Sequence, residues 1–259
     1  MFRLLALAAA LSLFALASQA QQSNKGIFLP SKHSGAPPSV GQSEGDGLES
    51  PVQRQHRRNR EEHLGQLNPF SGEAIADPGG QDESVELLFI NEIAVRKPGT
   101  EDLIPEPHGI PAWGSNFVIV GTVLDGQSHM NDKHNYVYTD YRIQIDQIIK
   151  ADKANPLTVG QQLTASRTGG RIRFPSGHIS NFYIQGRGLP KVGSQYVLFL
   201  IKPTADLPEY RIAFPSSYEL KDGKVYPLDD VNQEFEGFSA NALLKIVRET
   251  IEASKGAKQ

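Results

Sequence analysis

The stretch YVYTDYRIQIDQIIK, residues 136–150, decides the architecture. Every second residue from Val137 gives Val137, Thr139, Tyr141, Ile143 and Ile145, with Tyr138, Asp140, Arg142, Gln144 and Asp146 between them. A period of two is what a strand with one face on a core and one in water requires. After Asp146 the phase slips, because Gln147 falls where an apolar residue is due and Ile148 and Ile149 are adjacent. The slip predicts a bulge or the strand's exit.

On either side the texture is short apolar runs separated by turn signals. Residues 116–124, NFVIVGTVL, are apolar at nearly every position, as in a strand covered on both faces, and Gly121 marks a bend or a close backbone crossing. The polar residues 125–135 read as the connection to the long strand. Beyond it, residues 161–167 alternate with Leu163 and Ala165 inward, and Gly169 with Gly170 ends that strand. Pro175-Ser176-Gly177 predicts a hairpin between residues 171–174 and 178–184. Residues 195–202 hold the most apolar run after the leader and predict a central strand. Two shorter strands follow at 209–214 and 217–220, and Asp222-Gly223 is a two-residue hairpin signal. Ser239 caps a helix to about residue 254 with Leu243, Val247 and Ile251 in line, and Phe238 is placed to staple onto Leu243. Strands at this spacing followed by one amphipathic helix predict a mainly β fold, a small OB-like barrel with a C-terminal α-helix over residues 112–256.

The N-terminal part differs. Arg3, an apolar run over residues 4–17 and Ser18-Gln19-Ala20 form a signal peptide over residues 1–20, so the chain is expected to be secreted or periplasmic. The run is too short to serve as a spanning helix, which needs about 20 apolar residues. Residues 21–83 are rich in Ser, Gly, Pro, Gln and charge, and read as a disordered linker. The run RQHRRNREEH at 54–63 reads as a solvated charge run, with anionic envelope polymers or lipid as its functional alternative. Residues 84–111 read as a short helix opened by Ser84, then a proline-rich extended lead-in.

The 259-residue chain has no cysteine, which excludes disulfides, thiolate metal sites and cysteine nucleophiles, and its net charge of -3 argues against a nucleic-acid binder. No phosphate loop, dinucleotide fingerprint or G-x-S-x-G elbow is present. Ser176 and His178 lie at an offset that does not bring a hydroxyl onto an imidazole within a strand.

The pieces FVIVGTV (117–123), YTDYRIQIDQIIK (138–150), GGRIRFPSG (169–177), GRGLPKVGSQYVLFL (186–200) and YELKDGKVYPLD (218–229) resemble a group of uncharacterised exported bacterial proteins. More distantly, the order of strands is similar to the OB-like barrel of netrin-type domains and tissue inhibitors of metalloproteinases. The resemblance implies a barrel and supplies no mechanism, because those inhibitors rely on cysteines that this chain lacks.

Three groups of side chains carry candidate chemistry. His129, Asp132 and His134 in HMNDKH have donor types that suit a divalent ion and a metal-dependent hydrolase, although such residues are also ordinary turn formers. Arg167, Arg171, Arg173, Arg187 and Lys191 flank the glycine-bearing turns and form a candidate cationic stripe for anionic glycans or an envelope protein. Tyr136, Tyr138 and Tyr183 are candidates for an exposed stacking face beside it. The sequence therefore predicts a non-catalytic binding module without cofactor, with Arg171, Arg173, Arg187 and Tyr138 as its contact residues. The metal-dependent hydrolase is the alternative.

Overall fold

The computed structural model describes residues 37–42, 75–77, 84–86, 110–112, 114–152, 155–202, 209–213, 217–230 and 233–256. The predicted leader at 1–20 and the charge run at 54–63 lie outside them. Strands β1 (Gly41–Gln42) and β2 (Ser84–Glu86) come first, followed by β3 (Phe117–Met130), β4 (Val137–Lys150), β5 (Gln162–Thr168), β6 (Gly170–Arg173) and β7 (Ile179–Tyr183). Then come β8 (Gln195–Ile201), β9 (Tyr210–Ile212), β10 (Tyr218–Lys221), β11 (Lys224–Pro227) and the helix α1 (Ala240–Gly256).

Five strands close into a barrel in the order β8–β3–β4–β5–β9 and back to β8. All neighbours are antiparallel except β5 and β9, which run parallel and meet only at Ala165↔Tyr210 and Ser166↔Arg211. The alternation that defines β4 points Tyr141, Ile143 and Ile145 inward. There they meet Phe117, Ile119, Leu163, Ala165, Leu198 and Ile212 in one apolar cluster. The predicted phase slip is a bulge: Val120 faces Gln147 and Gly121 faces Ile145, so Asp146 is skipped. A Cβ on Gly121 would lie 2.7 Å from Ile143 Cγ2 and 2.9 Å from the Gln144 carbonyl, the close crossing that this glycine permits.

The opposite faces of β3, β8 and β10 form a second core. Val118, Val120, Val197, Phe199 and Tyr218 receive Leu243, Val247 and Ile251 from α1, spaced so that all three project from one side of the helix. Ser239 caps α1 by accepting the Ala242 N–H at 3.2 Å. Phe238, expected to staple onto Leu243, is 43% exposed and sets its ring edge-on to Phe235 at 5.6 Å. Asp222 and Gly223 both take positive φ, as the predicted two-residue hairpin turn requires.

Three sequence expectations need correction. Residues 125–130 are strand, not connection: β3 continues to Met130 and pairs with β4 up to Met130↔Val137. The turn is only residues 131–136, held by Asn131, whose Oδ1 accepts the N–H groups of Asn135 and Tyr136, each at 2.9 Å. The helix expected from Ser84 is a strand at its start, because Ser84–Glu86 runs parallel to β7 at Asn181, Phe182 and Tyr183. Residues 87–96 lie outside the described residues. Within the predicted linker, 37–42 and 75–77 are docked on the folded domain: β1 pairs with β6, and Ile75 donates its N–H to the His134 carbonyl at 2.6 Å.

The order β1–β6–β7–β2 makes a small second sheet. It covers the far half of the β3–β4 hairpin through Met130, Val137, Ile172, Phe174 and Phe182. Beside that apolar patch, Thr139 donates its hydroxyl to the Gly169 carbonyl at 2.7 Å, and Ser128 Oγ accepts the Arg171 N–H at 3.1 Å.

Candidate binding face

The structure does not bring Arg171, Arg173, Arg187 and Tyr138 together. On β6, Ile172 turns inward against Val137, so Arg171 and Arg173 face away from the hairpin. On β4, Tyr138 points to the side opposite Val137, so two stacked layers separate it from those arginines. Tyr138 is also fully buried, stacked on Tyr136 at 5.7 Å and tilted against His129 at 5.4 Å, which removes it from any exposed contact face. Arg187 belongs to a third place, the segment before β8, where Asp229 favours its charge.

Arg167 was grouped by sequence with the surface arginines, but it continues the inward phase of Leu163 and Ala165. It is 4% exposed and pairs with Asp229, which is 1% exposed. Asp229 Oδ1 also accepts the Gly188 N–H at 3.1 Å, and Arg167 donates to the Ala213 carbonyl at 3.5 Å. The pair thus ties β5, the segment before β8, the residue after β9 and the stretch just after β11 into one polar plug at the barrel mouth. The signal was present in the sequence: one further step along the period of two from Ala165 places Arg167 inside.

Two tyrosines lie close to this plug. Burial pushes the phenols of Tyr141 and Tyr196 well above their ordinary range; Arg167 opposes the rise at both, and Glu219 adds to it at Tyr196. Both stay protonated in the fold at pH values where an unfolded tyrosine, with a pKa of about 10, ionises. Their contribution is therefore intact below about pH 10 and is lost as pH rises beyond it, each by up to about 1.4 kcal/mol per pH unit. Arg187 has the opposite sign. Burial first, and then Arg211, lower its pKa to about 10, so it recovers stability as pH climbs from there toward the ordinary arginine range. Two tyrosines outweigh one arginine. Urea midpoints are expected to fall above about pH 10, and Tyr141→Phe is expected to flatten that decline; an unchanged pH profile in the variant would remove Tyr141 as its source.

The metal-ligand candidates are not assembled. His129 sits on β3 with Nε2 3.7 Å from Asp140 across the hairpin, whereas Asp132 and His134 lie on the exposed turn. Among the described residues no three His, Asp or Glu side chains are grouped to hold a metal ion.

A different face emerges from what covers the barrel. The interior is filled by side chains, α1 lies on the β3–β8–β10 side, and the small sheet lies on the hairpin tip. The outer side of β4 and β5 presents Arg142, Gln144, Gln162 and Thr164, all exposed or half-buried. Before Ala165 the parallel pairing ends, so among the described residues Gln162 and Thr164 have no partner strand on the β9 side. A depression of about 340 Å³ opens there, lined by Arg142, Gln161, Gln162 and Thr164 with Glu209 and Tyr210 opposite, and reaching Leu163 of the barrel core. Among the described residues, Glu209 Oε2 is buried without a hydrogen-bond partner, an acceptor with no donor. Arg142 lies 3.8 Å from Asp125, with both side chains more than half exposed. Sequence reasoning missed this site because its residues have ordinary strand-surface types, and only the early end of the β5–β9 ladder makes them a site.

Compared with known proteins, the chain matches no family, and no curated protein is detectably similar to it.

Proposed function

We propose that the chain is an exported, non-catalytic binding module that holds a hydrogen-bonding polymer, a glycan strand of the envelope, in the opening between β5 and β9. The observation that carries this reading is the orphaned Glu209 carboxylate oxygen in a polar depression on a barrel face that no other described element covers. Amide, hydroxyl, guanidinium and carboxylate groups together match sugar hydroxyls, which both donate and accept. Arg142 is already opposed by Asp125, which favours a neutral stretch of glycan over the anionic one expected from an arginine stripe.

Two further observations support the reading. The ring order β3–β4–β5–β9–β8 is the sequence of pairings expected of an OB-like barrel, whose second and third strands commonly form the contact face for oligosaccharides and oligonucleotides. The leader at residues 1–20 supports export to the periplasm or medium, as does the resemblance to exported bacterial proteins. Among the described residues no helix is long and apolar enough to cross a membrane.

Calorimetric titration with soluble peptidoglycan fragments tests the assignment. Arg142→Ala combined with Gln162→Ala is expected to weaken binding by about tenfold or more, that is by about 1.4 kcal/mol or more. Equal affinity in wild type and double variant removes this face, and absence of binding by the wild type removes the ligand class.

A further inference from the structure

Residues 37–42, PPSVGQ, lie across two strand edges that nothing else among the described residues covers. β3 pairs with β8 only from Phe117 to Thr122 and touches the segment before β8 once more at Val123. From Gly126 onward its edge is met by Ser39, in a parallel bridge to Gln127: the Ser39 N–H donates to the Gly126 carbonyl at 2.6 Å, and the Ser128 N–H donates to the Ser39 carbonyl at 3.3 Å. Two residues later Gly41 and Gln42 pair with Ile172 and Arg173 on the outer edge of β6. One short extended segment thereby stitches the barrel hairpin to the small sheet.

The slot it occupies is shaped for it. Pro38 is buried over Gly126, where a Cβ would come within 3.0 Å of both Pro38 and the Tyr141 ring. The Ser39 hydroxyl reaches the Gln127 side-chain oxygen at 2.6 Å. Against this fit, the attachment is slight: one bridge and a two-residue strand. Short peripheral ladders of this kind open at the low end of the stability range. When this one opens, it bares unpaired backbone on β3 and β6, the template that an added strand recognises.

We infer that this slot is a strand-exchange site, which takes residues 37–42 of a second copy of the chain in place of its own. The occupant follows from the fit: every copy carries both the slot and the segment that fills it, so exchange keeps each hydrogen bond and depends on concentration alone. In a pair the exchange is reciprocal, each copy's segment filling the other's slot, and it does not involve the β5–β9 opening.

The absence of cysteine makes a clean test. The double variant Ser39→Cys with Gln127→Cys, in the full chain at micromolar concentration, is expected to close an internal disulfide, since the two side chains already touch. Single variants Ser39→Cys and Gln127→Cys are then mixed at millimolar concentration and oxidised. Disulfide-linked heterodimer is expected in about tenfold or greater excess over a control mixture of Ser39→Cys with Gln162→Cys, and a synthetic peptide of residues 36–42 in excess is expected to suppress it. Heterodimer at the control level, with the internal disulfide forming normally, shows a slot that accepts only its own segment and overturns exchange. Failure of the internal disulfide shows that Ser39 does not occupy the slot and overturns it as well.

Discussion

Replacing Asp229 with alanine is expected to destabilise the protein by about 3–5 kcal/mol, because among the described residues it leaves buried, charged Arg167 with the Ala213 carbonyl as its one hydrogen-bond acceptor. The same change removes the group that favours charge on Arg187, so that guanidinium is pushed further below its ordinary range. A second variant separates loss of the pair from loss of one member. Arg167→Met with Asp229→Leu fills the plug with apolar groups of similar size and is expected to recover most of the stability, since apolar replacement of buried pairs is often neutral or favourable. Urea midpoints at unchanged m-value measure both. If Asp229→Ala loses less than about 1 kcal/mol, the pair is solvated and the barrel mouth is open.

Phe235→Ala carries the second large effect, about 3–5 kcal/mol. Phe235 is fully buried at the centre of a chain of edge-on rings: Phe199 to Tyr218 at 6.5 Å, Tyr218 to Phe235 at 5.8 Å, and Phe235 to Phe238 at 5.6 Å. This ring fixes the approach to α1, so truncation opens a cavity between the helix and the outer face of β8 and β10. Amide exchange in α1 is expected to accelerate far more than exchange in β4. Equal acceleration in both would show that the helix and barrel unfold as one unit.

The parts of this fold that were legible in the sequence are those written in local alternation and turn chemistry. Val137 to Ile145 gave β4 its inward face, the crowding of Ile148 and Ile149 marked the bulge, and Asp222-Gly223 and Ser239 marked a hairpin and a helix start. Residues 125–130 were missed because their buried positions are Gly126, Ser128 and Met130. At Gly126 and Ser128 small residues let residues 37–42 and the small sheet approach closely, and they carry no hydrophobic signal, which leaves Met130 as the single large apolar mark of that stretch. Ser84 was misread because a capping serine and a strand-starting serine look alike until the partner, Asn181, is known. The candidate site was illegible for a related reason: charge type does not encode direction, so Arg167 inside the barrel and Arg142 on its surface look the same to composition, and only the phase of the strand tells them apart.

The parallel seam of the ring also governs how the chain reaches its native state. Ala165 and Tyr210 are joined across the whole intervening hairpin and β8, whereas β3, β4 and β5 are successive neighbours that zip locally. Closure of so long a loop for a two-pair ladder brings a large entropy loss with little immediate return, so the seam belongs late on the folding pathway. Until it forms, a chain without a single cross-link presents an unclosed curl of apolar strands, and its escape from aggregation depends on how fast that last gap shuts.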